Sequence, residues 1–169
     1  MLNQTVEKAI NNQINAELYS EYLYLSMSAY LKSINMNGCA AWMNIQAQEE
    51  RAHAMGMFDY IIRRGGKVTL EAIEKPQTEW KDVVDVFTSA LKHEELVTSK
   101  INALANVAQE NNDRATSLFL NWYITEQVEE EENFNDLVSQ LNMLKNDSSA
   151  LYALDKELGA RQFVAPVIK

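Results

Sequence analysis

Four glutamates stand where hydrophobic residues are expected in this 169-residue chain. Four long segments repeat apolar residues every three or four positions, which is typical of helices with one face buried in a core. One glutamate interrupts the apolar face of each segment: Glu17, Glu50, Glu94 and Glu130. Each lies within about two residues of the middle of its segment, or ~3 Å along a helix axis. Helices of similar length packed side by side would therefore bring the four carboxylates together at one level.

Such a group of buried carboxylates favours a metal site. Each unpaired buried carboxylate costs several kcal/mol, and no Lys or Arg interrupts the same faces at this level. Two divalent cations would balance the four negative charges, and His53, one turn after Glu50, adds a nitrogen ligand. Oxygen-rich ligation with one imidazole suits iron or manganese better than structural zinc.

Further polar residues surround this predicted centre. Residues 129–132 are four consecutive glutamates, which span ~300° of a helix surface, and the apolar period selects Glu130 as the inward one. Tyr24 and Gln127 share the inward faces, either as hydrogen-bonded core groups or as residues that orient metal ligands. Three more acidic residues border the centre, either as surface carboxylates or as further ligands: Glu49, Glu126 and Glu129.

The elements that position these residues form an all-α fold. The predicted helices span residues 5–33, 39–64, 80–110 and 114–145. A short connection broken by Gly38 makes the first two helices antiparallel, and Asn111-Asn112-Asp113 does the same for the last two. About 15 residues, from Gly65 to Glu79, join the middle pair and reach ~50 Å when extended, more than the ~40 Å length of a helix. This predicts a four-helix bundle with one long crossover between the second and third helices.

A short fifth helix is expected after the bundle. Asp147 is a suitable N-cap, leucines at 151, 154 and 158 share one face, and Gly159 follows. The whole chain, 1–169, is predicted to be one domain, with a bundle at about 5–145, the fifth helix at about 148–158 and a C-terminal tail at 159–169 that is either extended or mobile. Trp42 and Trp80 are placed outside the four core faces, where they could contact other chains.

Composition restricts the partners and the compartment. The net charge of −9 disfavours nucleic acid and anionic membranes and favours cations. No apolar stretch approaches the ~18 residues of a membrane span, and the N-terminus lacks the pattern of a secretory signal. A single cysteine, Cys39, suits a reducing compartment, so we expect a cytoplasmic protein.

The chain resembles the non-haem bacterial ferritins over nearly its whole length. Four motifs carry the resemblance: NAELYSEYLY at 15–24, QEERAH at 48–53, HE at 93–94 and WYITEQVEEE at 122–131. The resemblance implies a ferritin-like bundle with a short fifth helix. It also implies iron storage: Fe(II) is oxidised by O2 or H2O2 at a di-iron ferroxidase centre and stored as ferric mineral inside a hollow homo-oligomer of 24 chains.

The resemblance further assigns roles to individual residues. Glu17, Glu50 and His53 would hold one iron. Glu50 would bridge to a second iron, which Glu94 and Glu130 also hold. Gln127 would lie beside that second iron, and Tyr24 would hydrogen-bond a ligand and supply an electron. A third iron would be held by four residues, one of them shared with the di-iron centre: Glu49, Glu126, Glu129 and Glu130.

Departures from related families narrow the interpretation. Bacterioferritins carry a second E-x-x-H motif on the fourth helix, where this chain has Glu126 to Glu130 without a histidine, and a haem-binding Met where this chain has Ala52. Haem is therefore not expected. Rubrerythrins need a cysteine-rich domain, which one cysteine cannot supply. Two alternatives stay open at this point: a di-iron oxygenase or desaturase with the same ligands, and a purely structural bundle resembling a cytokine.

Overall fold

The computed structural model describes residues 2–168, in which the regular elements are five α-helices. Their bounds are α1 Gln4–Ser33, α2 Asn37–Arg63, α3 Val83–Glu110, α4 Arg114–Leu144 and α5 Ser148–Leu158. The all-α prediction is confirmed. The largest difference at a helix start is at α3, where the Asp82 side chain accepts a hydrogen bond from the Asp85 N–H at 2.9 Å and so caps the helix three residues later than expected.

The long crossover between α2 and α3 occupies residues 64–82 and follows α1. Near the start of α1, Asn11 accepts a hydrogen bond from the Thr69 N–H at 2.8 Å. Farther along α1, Ser26 donates to the Gln77 carbonyl at 2.6 Å. The crossover therefore runs the length of the bundle, and α3 starts at the level where α2 starts. This is the predicted arrangement, with α2 and α3 parallel.

The turn between α1 and α2 differs from the prediction. Gly38 does not break the chain; it lies buried in the first turn of α2. The change of direction comes instead from Asn35, whose φ of 62° places it in the left-handed region. A Cβ at Gly38 would lie 1.5 Å from the Asp155 carbonyl oxygen, so this position is small because α5 packs directly on it.

Helix α5 docks on the start of α2. Asp147 caps α5 as predicted, accepting hydrogen bonds from the N–H groups of Ser149 and Ala150, both at 3.0 Å. The buried Asp155 carboxylate accepts a hydrogen bond from the Cys39 N–H at 2.8 Å, so α5 satisfies one of the free N–H groups at the N-terminus of α2.

The tail after α5 has no regular secondary structure over residues 161–168 and lies along α2. Arg161 pairs with Glu49 near the middle of α2, and Ile168 lies against Gly56 in the following turns. The last residue of the predicted tail, Lys169, lies outside the described residues.

The core consists of two apolar clusters separated by a polar layer. One contains Met27, Phe87 and Phe134, and the other contains Ile10 and Leu120. The predicted inward faces of α1, α2 and α4 are buried throughout. On α3 the spacing of three and four residues predicts an inward face made of Val84, Phe87, Leu91, Glu94, Thr98, Ile101 and Ala105. This prediction is wrong in part: only Phe87, Glu94 and Ile101 of these are buried, and the buried face also contains Val83, Val86, Ala90, Val97, Leu104 and Ala108.

The tryptophans also depart from the expectation. Trp42 is only 6% exposed and Trp80 only 7%, and both belong to the same apolar cluster. Trp42 packs edge-on against Phe134, with ring centres 5.1 Å apart, and Trp80 packs against Tyr30 at 5.4 Å. They therefore stabilise the chain's own core rather than forming exposed contact surfaces.

Candidate metal centre

The polar layer between the two clusters contains the four glutamates that interrupt the apolar faces. Glu17, Glu50, Glu94 and Glu130 are each at most 4% exposed. Ligand atoms of Glu17, Glu50 and His53 lie within 4.8 Å of one another, and so do those of His53, Glu126 and Glu130. His53 belongs to both groups, with Nδ1 3.6 Å from Glu50 Oε2 and Nε2 3.9 Å from Glu126 Oε1.

Side-chain donors orient three of the four carboxylates. Gln13 Nε2 donates to Glu17 Oε1 at 2.9 Å, and Gln46 Nε2 donates to Glu130 Oε2 at 2.8 Å. The third carboxylate, that of Glu94, accepts a hydrogen bond from Gln127 Nε2 at 3.0 Å and another from the Tyr24 hydroxyl. Tyr24 and Gln127 thus both hydrogen-bond to the buried Glu94 carboxylate.

Three buried ligand atoms have no hydrogen-bond partner among the described residues: Glu17 Oε2, Glu50 Oε1 and His53 Nε2. A buried polar atom without a partner costs about 1–3 kcal/mol, and more when it carries charge. All three residues belong to the group whose ligand atoms lie within 4.8 Å of one another, so a cation bound by this group would compensate the buried carboxylates. The residues therefore fit a metal ion with carboxylate and imidazole ligands.

Electrostatics at the layer favour uptake of positive charge. Burial raises the pKa of Glu17, Glu50 and Glu130, and neighbouring carboxylates raise that of Glu50 further. Burial also raises the pKa of Glu94 to about 7. The pKa of His53 is lowered to about 4 by burial, so its ring is neutral and keeps a lone pair for a metal. A bound cation would return the carboxylates to their ionised form.

Tyr24 is a neutral, buried phenol at neutral pH. Burial and the adjacent Glu94 charge raise its pKa well above the ordinary value. Its ring lies 6.0 Å from the His93 ring, and His93 forms a 2.8 Å hydrogen bond with Ser20. Tyr24 therefore donates a hydrogen bond to Glu94 as a neutral phenol, and its ring packs edge-on against His93.

The three outer carboxylates lie on one edge of the layer. Glu126 is half-buried and faces His53, and Glu49 is half-buried and paired with Arg161. Glu129 is exposed, and its charge raises the pKa of both Glu49 and Glu126. These groups are close enough to interact, as the position beside the centre predicts.

Three residues of the site were not assigned a role from sequence. Gln13 lies one helical turn before Glu17, so the spacing of the two could have identified it. Gln46 lies one helical turn before Glu50 on the same face of α2, but its hydrogen bond to Glu130 depends on how α2 and α4 pack. Arg161 lies in the irregular tail, where no periodicity indicates which element it reaches.

Comparison with known proteins agrees with this geometry. The ferritin-like domain family matches residues 7–144, which is most of the chain. The chain belongs to the ferritin-like family. Among its relatives, a bacterial non-heme ferritin of Staphylococcus haemolyticus is 38% identical over 163 residues, covering 96% of this chain and 98% of the relative. A probable bacterial non-heme ferritin-like protein of Haemophilus influenzae is 39% identical over 159 residues, covering 94% and 96% respectively.

Solved structures give the same assignment for the fold. An engineered closed form of the Archaeoglobus fulgidus ferritin is 46% identical and superimposes with a TM-score of 0.96, covering 97% of this chain and all of the other. An open-pore ferritin from the same archaeon, also 46% identical, gives 0.94 over 96% of this chain and all of the other. These values confirm the ferritin-like bundle with its short C-terminal helix. No helix within residues 2–168 is long and apolar enough to cross a membrane.

Proposed function

We propose that this chain is an iron-storage ferritin that oxidises Fe(II) to Fe(III) within its own helical bundle. The observation that carries the proposal is the set of three unpartnered buried ligand atoms in a layer of four buried glutamates. A protein that gained nothing from a cation here would have little reason to bury these atoms without partners. Family membership supports the choice of iron.

Two iron positions share the layer. Glu17, Glu50 and His53 would hold the first Fe(II), because their ligand atoms already lie within 4.8 Å of one another. Glu94 and Glu130, which are buried in the same layer, would hold the second, with Glu50 as the shared ligand. Gln127 is proposed to position Glu94 and to lie beside the second iron.

The chemistry follows from the charge of the ligands. Carboxylates stabilise Fe(III) more than Fe(II), because the extra positive charge interacts with the same negative groups in a poorly polarisable interior. Two Fe(II) ions would supply the two electrons that reduce O2, with two protons, to H2O2, or that reduce H2O2, with two protons, to water. Tyr24, in contact with Glu94, is proposed as a further one-electron donor.

The oxidised iron must then leave the layer. The outer carboxylates Glu49, Glu126 and Glu129, with Glu130, are proposed as a third iron position at its edge, since Glu126 faces the unpartnered His53 nitrogen. Storage of ferric mineral requires a hollow assembly, for which we propose 24 copies of this chain, each a single ferritin-like domain, in the cytoplasm. Exposed apolar side chains on α4, such as Leu118 at 71% and Met143 at 75%, support assembly.

Stopped-flow oxidation of Fe(II) tests the proposal with a matched pair of variants. Glu130→Ala removes a proposed ligand, whereas Glu132→Ala removes an exposed glutamate from the same acidic run. We expect fast oxidation of two Fe(II) per chain by the parent and by Glu132→Ala, and its loss in Glu130→Ala. Equal rates in all three proteins would contradict the proposed centre.

A further inference from the structure

The tail carries a cation to the edge of the metal centre. Arg161 Nη2 donates to both oxygens of Glu49, at 3.0 and 2.8 Å, and its Nη1 donates to Gln46 Oε1. The guanidinium carbon lies 4.6 Å from the centre of the Trp42 ring. Charge, a two-pronged hydrogen bond and an aromatic face therefore fix this side chain on α2.

Gln46 connects this cation to the buried layer. It is fully buried; its oxygen accepts from Arg161 and its Nε2 donates to Glu130 Oε2 at 2.8 Å. Because an amide offers its oxygen and its nitrogen on opposite sides, the bond to Arg161 fixes the nitrogen toward Glu130. The tail thus influences both an outer carboxylate and a carboxylate of the di-iron layer.

The same position is where the outer carboxylates could take up a metal ion. Glu49 interacts electrostatically with Glu129 and Glu126, and His53 Nε2 points without a partner toward Glu126. A metal ion bound by these groups would need Glu49, whose two oxygens are already engaged by Arg161. One carboxylate cannot serve both cations fully, so the two must compete.

The structure also offers the displaced guanidinium a place to go. A cavity of about 240 Å³ adjoins Arg161 and is lined by Trp42, Asp136 and Gln140, among others. Asp136 is exposed and can accept a hydrogen bond from an arginine that has left Glu49. A rotation of the side chain into this cavity would release Glu49 and remove the ionic contact that holds the tail on α2.

We propose that Arg161 is a displaceable internal cation that occupies Glu49 until a third metal ion takes its place. The inference rests on the proposed function and adds to it a residue that sets the affinity of the outer position. Occupation of that position then releases Arg161 from Glu49 and changes how Gln46 is held beside Glu130. Binding of a metal ion at the outer position would thereby change the contacts of the tail with α2.

Anaerobic titration of the metal-free assembled protein with Zn²⁺ tests this, because Zn²⁺ is not oxidised. We expect two strong binding steps per chain followed by a weaker third step. Arg161→Gln removes the competing charge, and the third step should tighten about tenfold, in line with a partly buried ion pair in which one guanidinium nitrogen contacts both carboxylate oxygens. Arg161→Lys keeps the positive charge but loses the second nitrogen that contacts Gln46, so the affinity of its third step should lie between those of the parent and Arg161→Gln.

Arg51→Gln is the matched control. Arg51, an exposed arginine on α2, pairs with Glu21 at 3.4 Å and not with Glu49. The Arg51→Gln variant changes the net charge as much as Arg161→Gln does but leaves Glu49 paired with Arg161. We therefore expect its third Zn²⁺ step to keep the parental affinity. If Arg51→Gln tightens the third step as much as Arg161→Gln does, the effect is one of net charge and the proposal is wrong.

Hydrogen exchange provides a readout of the tail itself. Addition of the third equivalent of Zn²⁺ should increase deuterium uptake at Ala160 and Arg161 of the parent, whose N–H groups are hydrogen-bonded to the carbonyls of Glu157 and Leu158, since Arg161 no longer anchors this turn. Unchanged uptake, an unchanged third step in Arg161→Gln, or no third step in either protein would each overturn the proposal. Loss of the two strong steps in the parent would instead contradict the di-iron centre on which it rests.

Discussion

Replacement of Glu94 by Gln should stabilise the metal-free protein at neutral and alkaline pH. Glu94 is completely buried, and burial raises its pKa to about 7 from an ordinary value of 4.5. An acid whose pKa is raised by folding costs nothing below its unfolded pKa, and its cost grows as the pH rises through the folded value. The shift corresponds to about 3 kcal/mol of unfolding free energy at pH 8 and less than about 1 kcal/mol at pH 5.

The substitution also has a cost. The Glu94 carboxylate accepts hydrogen bonds from Tyr24 and from Gln127, and an amide can accept with its oxygen only. One hydrogen bond is therefore lost, at about 1 kcal/mol. The net expectation for Glu94→Gln is a gain of about 2 kcal/mol at pH 8 and about zero at pH 5.

Chemical denaturation of the metal-free protein measures this, at a fixed chain concentration because assembly also contributes to stability. The parent should lose stability as the pH rises from 5 to 8, and Glu94→Gln should lose less. With Zn²⁺ present the order should reverse, because only the parent retains the full ligand set. A variant less stable than the metal-free parent at pH 8, or a difference that does not change with pH, would refute the electrostatic reasoning.

Three further predictions concern the surroundings of the layer. Tyr24→Phe removes a donor that lowers the pKa of Glu94, so Zn²⁺ binding should weaken more at pH 6.5 than at pH 8 in a calorimetric titration; a pH-independent change would contradict this. His53→Ala should remove one strong Zn²⁺ step while circular dichroism shows the helices unchanged; two retained steps would exclude His53 as a ligand. Gly38→Ala places a Cβ against α5 and should lower the free energy of unfolding by at least ~2 kcal/mol, measured by thermal unfolding. Replacement of the exposed neighbour, Asn37→Ala, should change it little, and equally small effects of both variants would contradict the close packing of α5 at Gly38.

Periodicity predicted most of the bundle because each helix has one buried face. The inward positions of Glu17, Glu50 and Glu130 follow from residues three and four positions away, and these contacts are local along each helix. The crossover was predictable from its length alone. The inward face of helix α3 was predicted less completely, because alanines and valines on either side of its centre give nearly equal choices of buried face. Packing against α1 and α4 decides between these faces.

What sequence could not give depends on contacts between distant segments. Gly38 looked like a helix breaker because its role, close approach of α5, is visible only when residue 155 is placed beside it. Arg161 was missed for the same reason: 112 positions separate it from Glu49. The prediction that no basic residue neutralises the layer considered the helices only, whereas the neutralising charge at its edge comes from the tail.

Sedimentation velocity after aerobic addition of Fe(II), recorded at a protein wavelength and at a ferric oxide wavelength, tests the central claim most directly. The account predicts a ferric signal that co-sediments with a particle of about 460 kDa or heavier, which corresponds to 24 chains of 19.3 kDa. A small oligomer that retains only about two irons per chain would contradict storage and would favour a di-iron oxygenase with the same ligands.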